Sequence, residues 1–233
     1  MNRDRRRAGI GGVLFAVSLV VGFTFFGPKG GRYSAAEVAN FVTQSPGVFI
    51  VSVYLLVLSI GGLIALMAYL SETWVGRRGQ GRVTWGASLA AGSSFLIGWG
   101  LYLAVPMSAL ADGPAIDPAI SYALLSAGML VFFGVGGMLL GIALITLATG
   151  GTAAPSWIRA FTGLTGLAAL ATWAFLLATG RSPNQWLPGS FYVVVLWGLV
   201  IGVWLLVTSP RSDEPMTTDP MTDSPPLSSG DLR

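Results

Sequence analysis

Residues 47–70 read GVFIVSVYLLVLSIGGLIALMAYL, a run of 24 residues without a charged side chain. At about 1.5 Å per residue, a helix of this length spans about 36 Å, whereas the hydrocarbon core of a bilayer is roughly 30 Å thick. An apolar run of this length is typical of a membrane span and too long for an ordinary buried helix. The stretch therefore predicts a transmembrane helix.

The rest of the chain repeats this pattern. Hydrophobic residues make up 53% of the 233 residues, charged residues make up 10%, and the mean hydropathy is +0.71. An ordinary soluble domain has about 25% charged residues. We therefore predict an all-α polytopic membrane protein whose residues 1–208 form one glycine-rich bundle of six transmembrane helices. The predicted spans, all free of Asp, Glu, Lys and Arg, are residues 8–26, 47–70, 83–105, 122–149, 160–179 and 188–208.

The first span also has a feature of a secretory signal peptide, because the basic segment from Arg3 to Arg7 precedes it. Its apolar run is longer than a typical signal core, and no small-residue cleavage site follows Phe26. A retained membrane anchor is the better interpretation.

The orientation follows from the arginines and lysines near the membrane, because cytoplasmic loops carry an excess of them. An N-terminus in the cytoplasm places nine of these residues inside and three outside, and six spans then leave the C-terminus inside as well. The inner set is Arg3, Arg5, Arg6, Arg7, Arg77, Arg78, Arg82, Arg159 and Arg211, and the outer set is Lys29, Arg32 and Arg181. The bias of twelve Arg to one Lys, with 32 Gly, suggests a bacterial coding sequence and hence a multi-pass protein of the inner membrane.

Residues 209–233 differ in composition from the rest. They contain five acidic residues, two arginines and many Pro, Ser and Thr. Such a segment buries too little apolar surface to offset the entropy of folding. We expect a disordered cytoplasmic tail.

The chain contains neither Cys nor His. Zinc sites, bis-imidazole haem, thiol chemistry and Ser-His or Cys-His catalytic pairs all need one of these residues. We therefore expect no metal, no cofactor and no enzymatic activity. The net charge is +3, but the basic residues flank apolar runs, so we expect them to set topology and not to bind nucleic acid.

Glycine pairs at GxxxG spacing lie within two spans. Because small residues let helix backbones approach closely in lipid, we predict helix packing at these four positions, with homodimerisation or a hinge as the alternatives. The residues are Gly137 and Gly141 in the fourth span, and Gly198 and Gly202 in the sixth.

Polar groups inside the spans are hydroxyls such as Ser52, Ser59, Ser88 and Ser94, together with Tyr and Trp. Membrane hydroxyls usually bond to the carbonyl one turn earlier. The spans carry no ionisable Asp, Glu, Lys or Arg, which argues against a proton relay and against ion-coupled transport.

Oppositely charged and amide side chains gather in the predicted outer loops, where a binding surface can form on a rigid bundle. The candidate binding residues are Arg32, Glu37, Asp112, Asp117, Arg181 and Asn184. The three acidic candidates also have a structural interpretation: Asp112 begins an Asp-Gly-Pro turn, Asp117 precedes Pro118 as a helix cap, and Glu37 closes a capping box with Ser34.

Three segments carry a family resemblance. Gly9-Ile10-Gly11-Gly12 opens the first span, Ser34-Ala35-Ala36-Glu37 leads into the second, and Pro155-Ser156-Trp157-Ile158-Arg159 precedes a helix with Gly163 and Gly166. In this order they resemble a family of small bacterial six-helix integral membrane proteins of unknown function, over residues 8–208. The resemblance implies no catalytic residues. Family members often have His or acidic residues at the start of the fourth span, where this chain has Ser121 and Tyr122.

The leading hypothesis from the sequence is a non-enzymatic binding, accessory or regulatory membrane component. Its surroundings are the lipid bilayer, and its partner is another membrane protein or a second copy of the chain. The chief alternative is a permease or channel for a small neutral or lipidic solute, and an enzyme that uses the outer-loop carboxylates is a distant third. A continuous polar pathway favours transport, whereas a filled, glycine-packed interior favours the first hypothesis.

Overall fold

The structure is a computed structural model. It describes residues 3–25, 40, 43–75, 79–111, 117–151, 153–179 and 189–208. Within these ranges the chain is almost entirely helical, and no strand is present. The all-α prediction is confirmed.

Seven α-helices and two π-helical segments follow one another in the described ranges. They are α1 (Arg3–Phe25), α2 (Pro46–Leu70), π1 (Ser71–Val75), α3 (Gln80–Leu110), α4 (Pro118–Met129), π2 (Leu130–Gly136), α5 (Gly137–Gly150), α6 (Ser156–Thr179) and α7 (Gly189–Val207). Helices α4 and α5 are joined through π2 without a break, so the predicted fourth span is one rod, called the π2 rod below.

Local sequence explains where several helices begin. Pro46 and Pro118 occupy first-turn positions, where the missing amide would have no intrahelical partner. Gly79, which precedes α3, has a φ of +58°, a left-handed conformation that glycine adopts without steric cost. Several helices are longer than the apolar stretches suggested: α1 begins at Arg3, and α3 passes through Pro106.

In the part of the chain that the structure describes, five helices are long and apolar enough to cross a membrane. They are α1, α2, α3, the π2 rod from Tyr122 and α6, and a shorter apolar helix covers Phe191–Val207. Large apolar side chains also cover the outside of the bundle, where Tyr54 is 72% exposed and Leu164 is 65% exposed. An outer surface of this kind is suited to lipid.

The described rods form a closed ring in chain order. Each rod packs against the next one along the chain, and α7 packs back against α1. Neighbouring rods run antiparallel. For example, Gly9 of α1 approaches Gly202 of α7 near one end, while Phe23 and Phe191 lie 5.0 Å apart, centroid to centroid, near the other.

Glycines allow the closest approaches between rods. A Cβ atom added at Gly202 would lie 2.7 Å from the backbone nitrogen of Val13, and one added at Gly141 would lie 3.0 Å from the carbonyl oxygen of Gly166. Gly198 packs in the same way against the Phe15 ring. These three glycines therefore form contacts within the chain, and none of the three contacts requires a second copy.

Gly137 departs from the packing prediction. Apart from its chain neighbours and the backbone of its own helix, a Cβ atom added there would have no heavy atom within 4 Å. The GxxxG spacing places Gly137 and Gly141 near one face of the rod, but only Gly141 lies where α6 crosses. The prediction of a tight contact at Gly137 is therefore wrong, because this residue faces the space at the centre of the ring.

Two further glycine contacts were not predicted. Gly98 of α3 and Gly128 of α4 face each other, so that a Cβ atom on either would lie 2.6 Å from the carbonyl oxygen of the other. At the α1–α2 crossing, a Cβ atom on Gly62 would lie 2.5 Å from the carbonyl oxygen of Gly11. Neither Gly98 nor Gly62 has another glycine four residues away, so the GxxxG spacing does not reveal these contacts.

Candidate functional site

Of the six candidate residues in the outer loops, Asp117 is the one that the structure describes. Its side chain is exposed, and its Oδ1 accepts hydrogen bonds from the backbone amides of Ala119, at 2.8 Å, and Ile120, at 3.4 Å. Asp117 therefore caps α4, as its structural interpretation expected. The other five candidates, together with the predicted Ser34–Glu37 capping box, lie outside the described residues: Arg32, Glu37, Asp112, Arg181 and Asn184.

The described rods line a cavity of about 50 Å³ at the centre of the ring. Every rod contributes to its wall, and the wall is almost wholly apolar. The lining residues are Phe15, Leu19, Ser59, Ile60, Leu63, Phe95, Phe132, Phe133, Gly137, Leu140, Ala169, Phe191 and Val194.

Ser59 is the only hydroxyl residue in the cavity wall among the described residues. It is fully buried, and its Oγ donates to the carbonyl oxygen of Leu56 at 2.7 Å. Ser52 and Ser88 follow the same rule: Ser52 donates to the carbonyl oxygen of Val48, at 2.8 Å, and Ser88 donates to that of Thr84, at 2.7 Å. These donors are bonded within their own helices and form no chain of polar groups along the ring axis.

An aromatic cluster fills the ring beside the cavity. Phe23 lies at its centre, with ring centroids 5.0 Å from Phe191, 5.6 Å from Trp99 and 6.0 Å from Phe132. Phe95 and Phe132 are 4.7 Å apart, and Phe132 and Phe133 are 5.0 Å apart. Such tilted and edge-on ring pairs are favourable beyond the area that they bury. The cluster therefore stabilises the end of the ring at which α1 finishes and α7 begins.

The π2 segment supplies two members of this cluster from adjacent positions. Phe132 and Phe133 are consecutive, and both are buried, with 7% and 8% of their surface exposed. Single turns of π-helix inside α-helices occur often at functional sites. Here the π2 segment lies beside the cavity and directly precedes Gly137, which is the first residue of α5.

Two polar contacts join neighbouring rods on the other side of the cavity. The buried indole Nε1 of Trp197 in α7 donates to the hydroxyl of Thr162 in α6 at 3.0 Å. The hydroxyls of Thr84 in α3 and Thr146 in α5 lie 2.9 Å apart. Because an unpaired buried polar group is costly in an apolar environment, these bonds favour one arrangement of the rods.

Arg5 ties the beginning of α1 to the end of α7. Its Nε donates to the carbonyl oxygen of Leu205 at 3.1 Å, and its guanidinium bonds to the hydroxyl of Thr208. The same guanidinium lies 5.3 Å from the ring centre of Trp204, and Trp204 packs edge-on against Trp74. A cation at the C-terminal end of a helix is favourable. Arg5, predicted as a topology signal, thus also caps α7.

The described residues contain no group of three or more His, Cys, Asp or Glu side chains that could hold a metal ion. The ring interior therefore offers apolar surface and bonded hydroxyls for binding, and its described wall carries no acid–base pair. No protein-family model, curated protein or solved structure matches this chain. The resemblance carried by the three sequence segments stays a prediction.

Proposed function

We propose that this chain is a six-span integral protein of the bacterial inner membrane, with both termini in the cytoplasm, and that it acts as a non-enzymatic binding, accessory or regulatory component. The observation that carries this proposal is the composition of the ring interior. An apolar wall, a packed aromatic cluster and a cavity of about 50 Å³ suit a structural bundle that presents its outer surfaces.

The course of α7 supports a sixth crossing. This helix has 19 residues and is therefore about 28 Å long, close to the thickness of the hydrocarbon core. It runs antiparallel along α1, one of the five long apolar helices, from the Arg5–Leu205 bond to the Phe23–Phe191 contact. A helix that covers the same depth as a spanning neighbour spans the membrane too, and the chain then ends on the side where it began.

The alternative is a permease or channel for a small neutral or lipidic solute. A polar solute needs partners along its path, because an unpaired polar group costs several kcal/mol, on the order of 2–7, in an apolar environment. The hydroxyl of Ser59 already donates within its own helix, and no described side chain continues a polar path from it. A solute apolar enough for this wall dissolves in the bilayer itself and needs no permease.

Solute flux through reconstituted vesicles tests this proposal. Proteoliposomes are mixed with hyperosmotic urea or glycerol, and light scattering follows the rate of reswelling. We expect the same rate as in protein-free vesicles, with a reconstituted glycerol channel as the positive control. A rate that rises with the protein-to-lipid ratio and saturates with solute would establish the permease instead.

The outer loops are the binding surface in this proposal, as the sequence predicts. Short arginine-containing turns and a 25-residue tail make up most of the predicted inner side, where the arginines serve topology. A membrane-protein partner or a second copy of the chain is the expected partner. The glycine contacts at Gly141, Gly198 and Gly202 are already filled from within the chain, so we expect such a partner to use other surfaces.

A further inference from the structure

The central cavity is large enough for a water molecule, but its described wall offers too few polar groups to bind one. A water molecule needs a cavity of only about 10–15 Å³ on this scale, but it also needs two to four polar partners. The cavity measures about 50 Å³, and Ser59, the hydroxyl in its described wall, already donates to the Leu56 carbonyl. Spaces of this kind remain dry and accept apolar guests such as xenon or benzene.

Gly137 keeps this cavity open without serving helix packing. On the same rod, Gly134 lies against the Trp173 ring, Gly136 against the Phe95 ring and Gly141 against the Gly166 carbonyl, so a side chain at any of them would clash. At Gly137 a Cβ atom would meet nothing within 4 Å, and this residue lines the cavity. The missing side chain at Gly137 therefore corresponds to empty space in the ring.

The π2 segment is a second and independent feature at the same place. It ends at Gly136, immediately before Gly137, and brings the consecutive rings of Phe132 and Phe133 into the cavity wall. A π-helical turn interrupts the regular hydrogen-bond pattern of a helix, and such turns occur often at functional sites. Here it shapes the wall of an apolar cavity.

From the size of the cavity, its dry apolar wall, the unfilled position at Gly137 and the π2 turn, we infer that the centre of the ring is a binding site for a small uncharged apolar molecule. The ligand has the chemistry of a short hydrocarbon, supplied either as a free small molecule dissolved in the bilayer or as the end of a lipid acyl chain. This inference goes beyond the proposed function and does not depend on the partner that the outer loops bind.

Xenon binding followed by methyl NMR tests the inference on the full chain in lipid nanodiscs. Methyl groups of Leu63 and Leu140 report on the cavity, whereas those of Leu164 and Leu167, which are 65% and 56% exposed, report on xenon dissolved in lipid. We expect shifts that saturate with xenon pressure at the first pair and small, linear shifts at the second pair. Linear shifts of equal size at both pairs would overturn the inference.

Two leucine variants provide matched controls. G137L places a side chain in the cavity and should remove the saturable shifts, whereas G61L adds a side chain where a Cβ atom also meets nothing within 4 Å but the residue is exposed, and it should leave them unchanged. Saturable shifts that persist in a folded G137L variant would contradict the site. If G137L does not fold, G137A should still shrink the saturable response.

The lipid distinguishes the two sources of the ligand. In nanodiscs with protonated acyl chains and an otherwise deuterated protein, nuclear Overhauser effects from acyl-chain methyl groups to the Leu140 methyl groups would identify the chain end as the occupant. Saturable xenon binding without such effects would exclude the chain end and leave a free small molecule as the source. Both results support the apolar site. If the parent protein shows no saturable xenon binding, the apolar site is refuted, whatever the flux and partner experiments show.

Discussion

The substitution G62A tests the α1–α2 crossing, where backbone lies against backbone. An added Cβ atom would lie 2.5 Å from the carbonyl oxygen of Gly11 and 2.9 Å from the backbone nitrogen of Phe15. Relaxed carbon–oxygen contacts between backbones lie at roughly 3.3–3.6 Å. Because neither neighbour is a side chain that can rotate away, the two helices would have to separate by about 0.8 Å, the difference between 3.3 and 2.5 Å.

The energetic cost follows from this separation. A gap of about 0.5–1 Å removes a quarter to a half of the dispersion energy of each contact that it opens. Overpacking of tight cores typically costs about 1–3 kcal/mol, and the gain in helix propensity from Gly to Ala returns roughly 0.5–1 kcal/mol. We therefore expect G62A to lower the free energy of unfolding by about 0–2.5 kcal/mol, with about 1 kcal/mol as the central value.

The adjacent glycine supplies the control. Gly61 is on the same helix but exposed, and a Cβ atom added there meets nothing within 4 Å. G61A should therefore keep or raise the stability, by up to about 1 kcal/mol. Reversible unfolding in mixed micelles, followed by far-UV circular dichroism, measures both variants against the parent.

A double substitution sharpens this test. If α1 and α2 meet at these glycines, G11A and G62A each push the same pair of helices apart, so the double variant should lose less stability than the sum of the two single losses. Equal stability of G62A and G61A, within about 0.5 kcal/mol, would refute the α1–α2 contact. Strict additivity of G11A and G62A would show that the two residues do not share it.

Three further predictions concern the cavity, a buried hydrogen bond and the outer loops. G137A should raise the free energy of unfolding by up to about 1 kcal/mol, because it improves helix propensity and its Cβ atom clashes with no neighbouring helix, and a loss of stability in the same unfolding assay would mean that Gly137 is at a tight contact after all. T162V keeps the side-chain shape but removes the acceptor for Trp197 Nε1, so it should lower the free energy of unfolding by about 0.5–2 kcal/mol. The control variant T73V changes an exposed threonine and should lower it less. Equal losses of stability would show that the indole bond is not formed. The third prediction concerns the outer-loop residues Arg32, Asp112 and Arg181, tested by complementation in a strain that depends on the protein. A folded variant in which all three side chains are neutralised should fail to complement, whereas a variant truncated after Ser209 should complement. The reverse result would place the functional surface on the cytoplasmic side.

The sequence predicts the approximate positions of the five long apolar helices, because each contains an uncharged run long enough for the bilayer. It predicts the ends of the helices only to within one or two turns. For example, α1 continues through a charged segment to Arg3, and Arg5 in that segment bonds to α7. The π2 turn also has no signature in the apolar pattern of the fourth span.

The contacts between helices were only partly predictable. Gly198 and Gly202 have a recognisable spacing, but their partners Gly9 and Gly12 follow from the ring closure, which brings the first and last helices together. Gly137 has the same spacing relative to Gly141 and yet faces a cavity, because the spacing defines a face of a helix and does not say what lies opposite each residue. The Trp197–Thr162 bond was missed for the same reason: both residues are common in apolar helices, and only the crossing of α6 and α7 pairs them.

Labelling of single cysteines tests the proposed topology, in which six helices cross the bilayer and return the chain to the cytoplasm. Because the chain contains no cysteine, single cysteines at Asn184, Gly79 and Ser212 report on topology without background labelling. On intact cells, a membrane-impermeant maleimide should modify a cysteine at Asn184 and leave those at Gly79 and Ser212 unmodified until the cells are lysed. Labelling of Ser212 together with Asn184 would mean that α7 does not cross, and labelling of Gly79 and Ser212 without Asn184 would reverse the orientation.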